Sequence, residues 1–182
     1  MNNYSDKELL ELFHKKDNRN YAFNLLVRKY QKQIYWHIRK IVINHDDTND
    51  IVQNTFIKIW KNLDKFREDS KLYTWMYRIA TNEAISFINK NRIKYFLSFT
   101  DFENHFANSF TDDNFFTGDE IQKKLQKVIL KLPQKQRIVF NMRYFDEIKY
   151  KEMSEILNTS TGALKASYHI AVKKIKKYLT EN

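Results

Sequence analysis

Glycine and proline are almost absent from this chain, and their scarcity constrains the fold more than any other feature of the sequence. Among 182 residues there are two glycines, Gly118 and Gly162, and one proline, Pro133. Tight turns between strands, and glycine-rich loops that wrap phosphate groups, depend on these residues. Apolar residues recur instead at intervals of three and four along nearly the whole chain, which is typical of amphipathic helices. We therefore predict an all-α protein.

This periodicity predicts eight helices, four on each side of a segment without a sustained period. They span about residues 6–15, 20–43, 46–63 (or 47–63), 71–94, 119–131, 134–144, 149–157 and 161–179. Pro133 is expected at the first turn of the sixth helix, where its fixed backbone angle favours a helix start. Asp47 is the expected N-cap of the third helix. The buried stripes of the third and fourth helices are expected at Val52, Phe56, Ile59 and Leu63, and at Leu72, Trp75, Met76, Ile79 and Phe87.

Several classes of protein are disfavoured by what the sequence lacks. There is no cysteine, which excludes disulfides, thiol catalysis and thiolate metal sites. The five histidines show no metal-binding spacing, and we find no persuasive nucleophile with its base, so we expect neither an enzyme nor a cofactor. Residues 1–5 lack a signal-peptide pattern, and no stretch approaches the ~18 apolar residues of a membrane span. We expect a cytoplasmic protein without direct membrane insertion.

The net charge of +10 is distributed unevenly along the chain. Residues 1–97 carry +7, residues 98–120 carry −6 with no basic side chain, and residues 121–182 carry +9. Two basic modules joined by an acidic segment indicate binding to a polyanion, although a lysine-rich solvated surface would have the same charge. We predict two small helical domains, residues 1–97 and 119–182, joined by an acidic linker at residues 98–118. Its six phenylalanines either fold back on the protein or thread a groove on a partner.

The second module has the outline of a helix-turn-helix: a short helix, a tight turn and a longer helix. Asn158 is suited to the left-handed conformation that ends a helix, and Ser160 is suited to cap the next one. In the last helix Leu164, Ala171, Ile175 and Leu179 form the inward stripe, which leaves Thr161, Lys165, His169 and Lys173 outside. Such an outer stripe fits DNA reading, and it also fits ordinary solvation.

Two blocks of the sequence resemble the domains of one known family. Residues 132–179, LPQKQRIVFNMRYFDEIKYKEMSEILNTSTGALKASYHIAVKKIKKYL, resemble the C-terminal promoter-binding domain (region 4) of bacterial sigma factors. Residues 46–82, DDTNDIVQNTFIKIWKNLDKFREDSKLYTWMYRIATN, resemble their central domain (region 2). Two such domains in this order, joined by a short linker, are similar to the extracytoplasmic-function (ECF) group. The resemblance implies a non-catalytic subunit that binds core RNA polymerase and directs it to promoter DNA, and it implies an anti-sigma factor as a further partner.

The resemblance also implies roles for individual residues. An acidic and amide face of the third helix would dock on core polymerase through Asp47, Asp50, Gln53 and Asn54; in the alternative, Asp50 only favours the helix dipole. The loop after that helix and the start of the fourth would recognise and melt the −10 element through Lys65, Phe66, Arg67, Ser70, Lys71, Thr74, Arg78 and Asn82. Trp75 lies in the same neighbourhood, although its spacing favours the core stripe. The last helix and its surroundings would bind the −35 element through Arg137, Thr161, Lys165, Ser167, His169 and Lys173.

Further expectations concern the linker and the alternative functions. The acidic linker would lie in positively charged channels of polymerase, a hypothesis that rests on the −6 charge of residues 98–120 and on the linker's position between the two domains. The main alternative function is a stand-alone helix-turn-helix regulator, which would bind specific DNA without polymerase. A polymerase-binding regulator that does not read promoters is a third possibility, and the intact last helix disfavours it.

Overall fold

The computed structural model describes residues 4–91 and 120–180. In these two ranges the backbone forms eight α-helices, two 3₁₀-helices and no strand, so the all-α prediction is confirmed. The α-helices are α1 (Asp6–Phe13), α2 (Arg19–Val42), α3 (His45–Asn62), α4 (Leu72–Lys90), α5 (Glu120–Leu130), α6 (Gln134–Tyr144), α7 (Tyr150–Leu157) and α8 (Thr161–Thr180). The 3₁₀-helices are Lys16–Asn18 and Leu63–Lys65. The predicted linker and both predicted domain boundaries lie outside the described residues.

The described residues separate into two compact units, built mainly from α1–α4 and from α5–α8. In the first unit, hydrogen bonds to the Asp6 carboxylate connect α1 to α2. The Tyr30 hydroxyl donates to the Asp6 carboxylate, at 2.7 and 2.8 Å from its two oxygens, and Lys29 Nζ donates to the same group at 2.7 Å. Burial, followed by the hydrogen bond to Asp6, raises the pKa of Tyr30 above its ordinary value. The buried face of α1 is the predicted one, Leu9, Leu10 and Phe13.

The start of α3 differs from the prediction. The helix begins at His45, and its N-cap is Asn44, whose side-chain oxygen accepts a hydrogen bond from the Asp47 backbone N–H at 2.9 Å. Asp47 therefore lies in the first turn, where a carboxylate favours the helix dipole, and the prediction that it caps the helix is wrong. The buried stripe is also rotated. Phe56, Ile59 and Leu63 are buried as predicted, but Thr48, Ile51 and Thr55 are buried where Val52 was expected.

Helix α4 packs on α2 through polar as well as apolar contacts. His37 Nε2 lies 2.8 Å from the Thr81 hydroxyl, which donates to the Tyr77 carbonyl at 2.7 Å. Because that hydroxyl proton is already used, we infer that His37 Nε2 carries the proton shared with Thr81. Leu72 and Met76 are buried as predicted, whereas Trp75, Ile79 and Phe87 are only half-buried. The remaining buried positions of α4 are Thr74, Tyr77, Ala80, Thr81 and Ala84.

The second unit is built around a small core beneath α8. Its buried members are Val128, Ile129, Leu132, Phe140, Ala171 and Ile175, contributed by α5, α6, α8 and the α5–α6 connection. Pro133 is the N-cap residue of α6, one position before the predicted first turn. Leu164, Ala171 and Ile175 lie on the inner side of α8 as predicted, and Leu179 is half-buried.

The predicted turn between α7 and α8 is confirmed. Asn158 ends α7 in the left-handed conformation, with φ 48° and ψ 49°. The Ala163 backbone N–H donates to Ser160 Oγ at 3.3 Å, so Ser160 caps α8. Asparagine tolerates this conformation better than other non-glycine residues, which explains how a sharp turn forms here without glycine.

Among the helices that the structure describes, none has the length and the apolar character that a membrane span requires.

Candidate nucleic-acid interface

A cationic cavity in the first unit lies between the end of α3 and one face of α4. It measures about 270 Å³ and is lined by Lys58, Asn62, Lys65, Trp75, Arg78, Ile79 and Asn82. Three of these seven side chains are cations, two are amides, and none is acidic. Glu83, the next residue on α4, accepts a hydrogen bond from Lys58 Nζ at 2.5 Å and holds that lysine between the two helices. A cavity of this chemistry suits an anionic, hydrogen-bonding ligand with an aromatic or apolar part.

Trp75 forms the aromatic wall of the cavity. Its ring lies 5.2 Å from the ring of Phe66, at an interplanar angle of 42°. Of the two roles that the sequence allows for Trp75, the core and the DNA-binding surface, the core is favoured by its spacing; the structure places its half-buried ring in the lining of the open site. The spacing of Trp75, Arg78 and Asn82 by three and four residues places them on one face of α4. Phe66 supports the wall of the cavity from the preceding loop.

The predicted −10 residues divide into three groups in the structure. Lys65, Arg78 and Asn82 line the cavity, and the ring of Phe66 packs at a tilt against Trp75. Arg67 and Lys71 are exposed and Ser70 is half-exposed on the adjacent loop. Thr74 is only 2% exposed, so a nucleic acid cannot reach its side chain, and its prediction as a DNA contact is wrong. Thr74 follows Leu72 by two residues and turns inward at the start of α4.

Sequence reasoning missed two members of the cavity, Lys58 and Asn62. Both lie near the end of α3, one helical turn apart, on a different face from the buried Ile59. Their spacing by four residues was visible in the sequence. The position of α4 beside this face is set by tertiary packing, and no local pattern in the sequence predicts it.

The outer face of α8 carries hydrogen-bond donors at successive helical turns. Thr161, Lys165, His169 and Lys173 are exposed as predicted, and Ser167 is half-buried. The helix contains no Asp or Glu at all. At its N-terminal end, an added side chain at Gly162 would meet nothing within 4 Å, so the backbone there is open to close approach. The arrangement suits a surface that meets phosphates and the acceptor edges of bases.

Arg137, predicted as a −35 phosphate contact, lies inside the second unit. It is 5% exposed on α6, and burial lowers its pKa to about 10. The guanidinium therefore remains charged at neutral pH, but DNA cannot reach it from outside. The prediction that Arg137 contacts phosphate is wrong because α6 turns this position towards the interior.

The predicted polymerase-docking residues share the outer side of α3. Asp50, Gln53 and Asn54 are exposed, opposite the buried Ile51 and Thr55, and Asp47 is half-buried near the start of the helix. Carboxylate and amide groups spaced by three and four residues form a continuous polar strip along two turns. Such a strip suits hydrogen bonding with a basic partner surface.

Comparison with known proteins gives two family matches and many relatives. Residues 26–93 match the model of sigma-70 region 2, and residues 122–175 match the model of sigma-70 region 4. The ECF RNA polymerase sigma factor SigW of Bacillus subtilis is 32% identical, covering 88% of this chain and 90% of its own. The ECF RNA polymerase sigma-E factor of Escherichia coli is 31% identical, covering 89% and 87%.

Two solved structures share the fold. One is CnrH in complex with the cytosolic domain of CnrY, with a TM-score of 0.65 and 20% identity, covering 90% of each chain. The other is the sigma factor RpoE in complex with the anti-sigma factor NepR from Bartonella quintana, with a TM-score of 0.66 and 18% identity. It covers 87% of this chain and 96% of the RpoE chain.

Proposed function

The chain belongs to the ECF group of RNA polymerase sigma factors, and from this membership we propose how its two helical units divide the work of promoter recognition. The protein directs RNA polymerase to specific promoters at transcription initiation. In our proposal the first unit captures melted −10 DNA, the second unit binds duplex −35 DNA, and neither unit catalyses a covalent reaction. The observation that carries the proposal is the cationic cavity walled by Trp75.

Melting without nucleotide hydrolysis must be driven by binding. Unstacking and unpairing a base costs a few kcal/mol. Stacking of a base on an aromatic side chain contributes about 1 to 3 kcal/mol of binding free energy, and a basic groove attracts the phosphate backbone of the DNA. Trp75 supplies the aromatic face, and Lys65 and Arg78 supply the charge. Asn62 and Asn82 supply amide groups that can pair with the edge of an unstacked base. The exposed Arg67 and Lys71, with Ser70, extend this surface along the strand.

Duplex binding is assigned to α8. Thr161, Lys165, Ser167 and His169 would reach base edges, and Lys173 would reach phosphate. An α-helix fits the major groove of B-DNA, and a helix without carboxylates meets no repulsion from the phosphates on either side. The open backbone at Gly162 lets the first turn of α8 come close to the bases.

Core polymerase would dock on the polar strip of α3. The strip, defined by Asp47, Asp50, Gln53 and Asn54, lies on α3, and the cavity begins at Lys58 near the end of the same helix. One rigid helix would thereby connect polymerase to the melted strand. The dipole role of Asp47 in the first turn of α3 is compatible with this contact.

An anti-sigma factor is the further partner that we propose. The two solved structures of similar fold support it, because CnrH is in complex with the cytosolic domain of CnrY and RpoE is in complex with the anti-sigma factor NepR. We place the protein in the cytoplasm, where RNA polymerase acts.

The test compares DNA binding with and without core polymerase. We expect the purified protein alone to bind a selected promoter fragment weakly, and the complex with bacterial core polymerase to bind it tightly and specifically in a gel-shift assay. Tight, specific binding by the protein alone would instead identify a stand-alone regulator and overturn the proposal.

A further inference from the structure

Tyr150 lies at the point where three helices of the second unit meet. It is the first residue of α7, and its ring contacts cations from the helices on both sides. Arg143 Cζ, from α6, lies 5.6 Å from the ring centroid, and Lys165 Nζ, from α8, lies 5.9 Å from it. Both distances fall within the roughly 6 Å over which a cation is attracted to an aromatic face.

The ring of Tyr150 is anchored to the hydrophobic core through other aromatic side chains. It meets Tyr168 edge to face, with centroids 6.5 Å apart and an interplanar angle of 77°. Tyr168 stacks on Phe140 at 5.7 Å and 13°, and Phe140 is buried. Because this series starts from a buried ring, the position of Tyr150 is set by the packing of the unit, and the cations at the surface adapt to it.

A fixed neighbouring ring would help to orient the flexible side chain of Lys165. A lysine side chain is flexible, and immobilising it on a base edge costs conformational entropy. A half-buried aromatic ring beside the ammonium group restricts the lysine before DNA arrives. Arg143 brings a second positive charge to the same ring, and the nearby phosphates of a bound duplex would relieve the repulsion between the two cations.

We propose that Tyr150 is a positioning residue for promoter specificity: its ring holds Lys165 in the orientation that reads a base of the −35 element. This inference rests on the proposed function of α8. The inference adds to promoter recognition a residue that lies outside α8 and acts through Lys165. The hydroxyl group of Tyr150 has no part in it.

The experiment uses the complex with bacterial core polymerase and a duplex that the wild-type complex selects from a random-sequence library. Lys165→Ala first identifies the base pair at which discrimination is lost. Affinity is then measured for the selected duplex and for the same duplex changed at that base pair. We expect Tyr150→Leu to weaken binding of the selected duplex about two- to fivefold and to lower discrimination at that base pair. Tyr150→Phe and Tyr150→Trp, which keep an aromatic face, should retain both.

The controls separate positioning from folding and from direct contact. In the Lys165→Ala background, Tyr150→Leu should cause no further loss of discrimination. Tyr144→Leu removes an exposed tyrosine of α6 that stacks on Phe140, and it should leave discrimination unchanged. If Tyr150→Leu does not fold, Tyr150→Met, which also lacks an aromatic face, takes its place in each comparison.

Three outcomes overturn the proposal while leaving the proposed function intact. In the first, Tyr150→Phe loses as much as Tyr150→Leu. In the second, Tyr150→Leu reduces discrimination equally with and without Lys165. In the third, Lys165→Ala changes no base preference although the complex selects promoter DNA. If the wild-type complex selects no duplex, the proposed function itself fails.

Discussion

Replacing Trp75 should separate the capture of melted DNA from the binding of duplex DNA. The indole ring walls the cavity, where one unstacked base can lie against it. Stacking of one base is worth about 1 to 3 kcal/mol, which corresponds to roughly 5- to 150-fold in affinity. We therefore expect Trp75→Ala to weaken binding of the complex with core polymerase to a single-stranded −10 oligonucleotide by that factor. Trp75→Phe should recover part of the loss.

The assay is a fluorescence-anisotropy titration of two probes with the same protein preparation. One probe is the non-template strand of the −10 element, and the other is a −35 duplex. Trp60→Phe is the matched control, because Trp60 is another half-buried tryptophan of the first unit and packs on Phe13 at 5.4 Å rather than on the cavity. Loss of the ring pair with Phe66 should cost about 0.5 to 1.5 kcal/mol of stability in addition to the lost burial of the indole, and a thermal melt checks that the variant stays folded. Our reasoning is refuted if Trp75→Ala keeps single-strand affinity, or if it weakens the −35 duplex equally.

Three further predictions concern the turn, the recognition helix and the docking of α1. Asn158→Ala should destabilise the second unit by about 1 to 2 kcal/mol in denaturant unfolding, because alanine disfavours the left-handed conformation. Asn158→Gly should not destabilise it, and equal losses in the two variants would contradict this explanation. Gly162→Ala should raise the melting temperature, because alanine favours the helix and its methyl group meets open space. The same variant should weaken binding of −35 DNA, and unchanged binding would show that DNA does not approach the backbone at residue 162. The raised pKa of Tyr30 means that the folded state holds this proton more tightly than the unfolded state, so its stabilising contribution is complete below about pH 10 and is lost as pH rises further. Alkaline denaturation of Tyr30→Phe should accordingly be shallower than that of the wild type, and identical curves would contradict the assignment.

The sequence predicted the helices and the turn well because those features are local. Spacing of apolar residues at three and four fixed the extents of the helices, and Asn158 with Ser160 fixed the turn through their own backbone and side-chain preferences. The capping error at α3 is of the same local kind. Asn44 and Asp47 are both good capping residues, and the structure uses the earlier one.

The candidate sites were predicted less completely because a site combines faces from different helices. Lys58 and Asn62 belong to the cavity only because α4 lies beside the end of α3, and Trp75, whose spacing favoured the core, lines that gap. Thr74 and Arg137 show the opposite error: both have side chains suited to DNA, and both are turned inside by the packing of their helices. Periodicity identifies which residues share a face, but the neighbours of that face are set by tertiary packing.

Promoter-specific initiation by the complex with core polymerase is the most direct test of this account. Core polymerase would be incubated with a selected promoter fragment, with and without the protein, and both run-off transcripts and permanganate-reactive thymines would be recorded. We expect a discrete transcript and unpaired thymines at the −10 element only when the protein is present, and the loss of both in Trp75→Ala combined with Arg78→Ala. Identical transcripts with and without the protein, or failure of the protein to associate with core polymerase, would contradict the account.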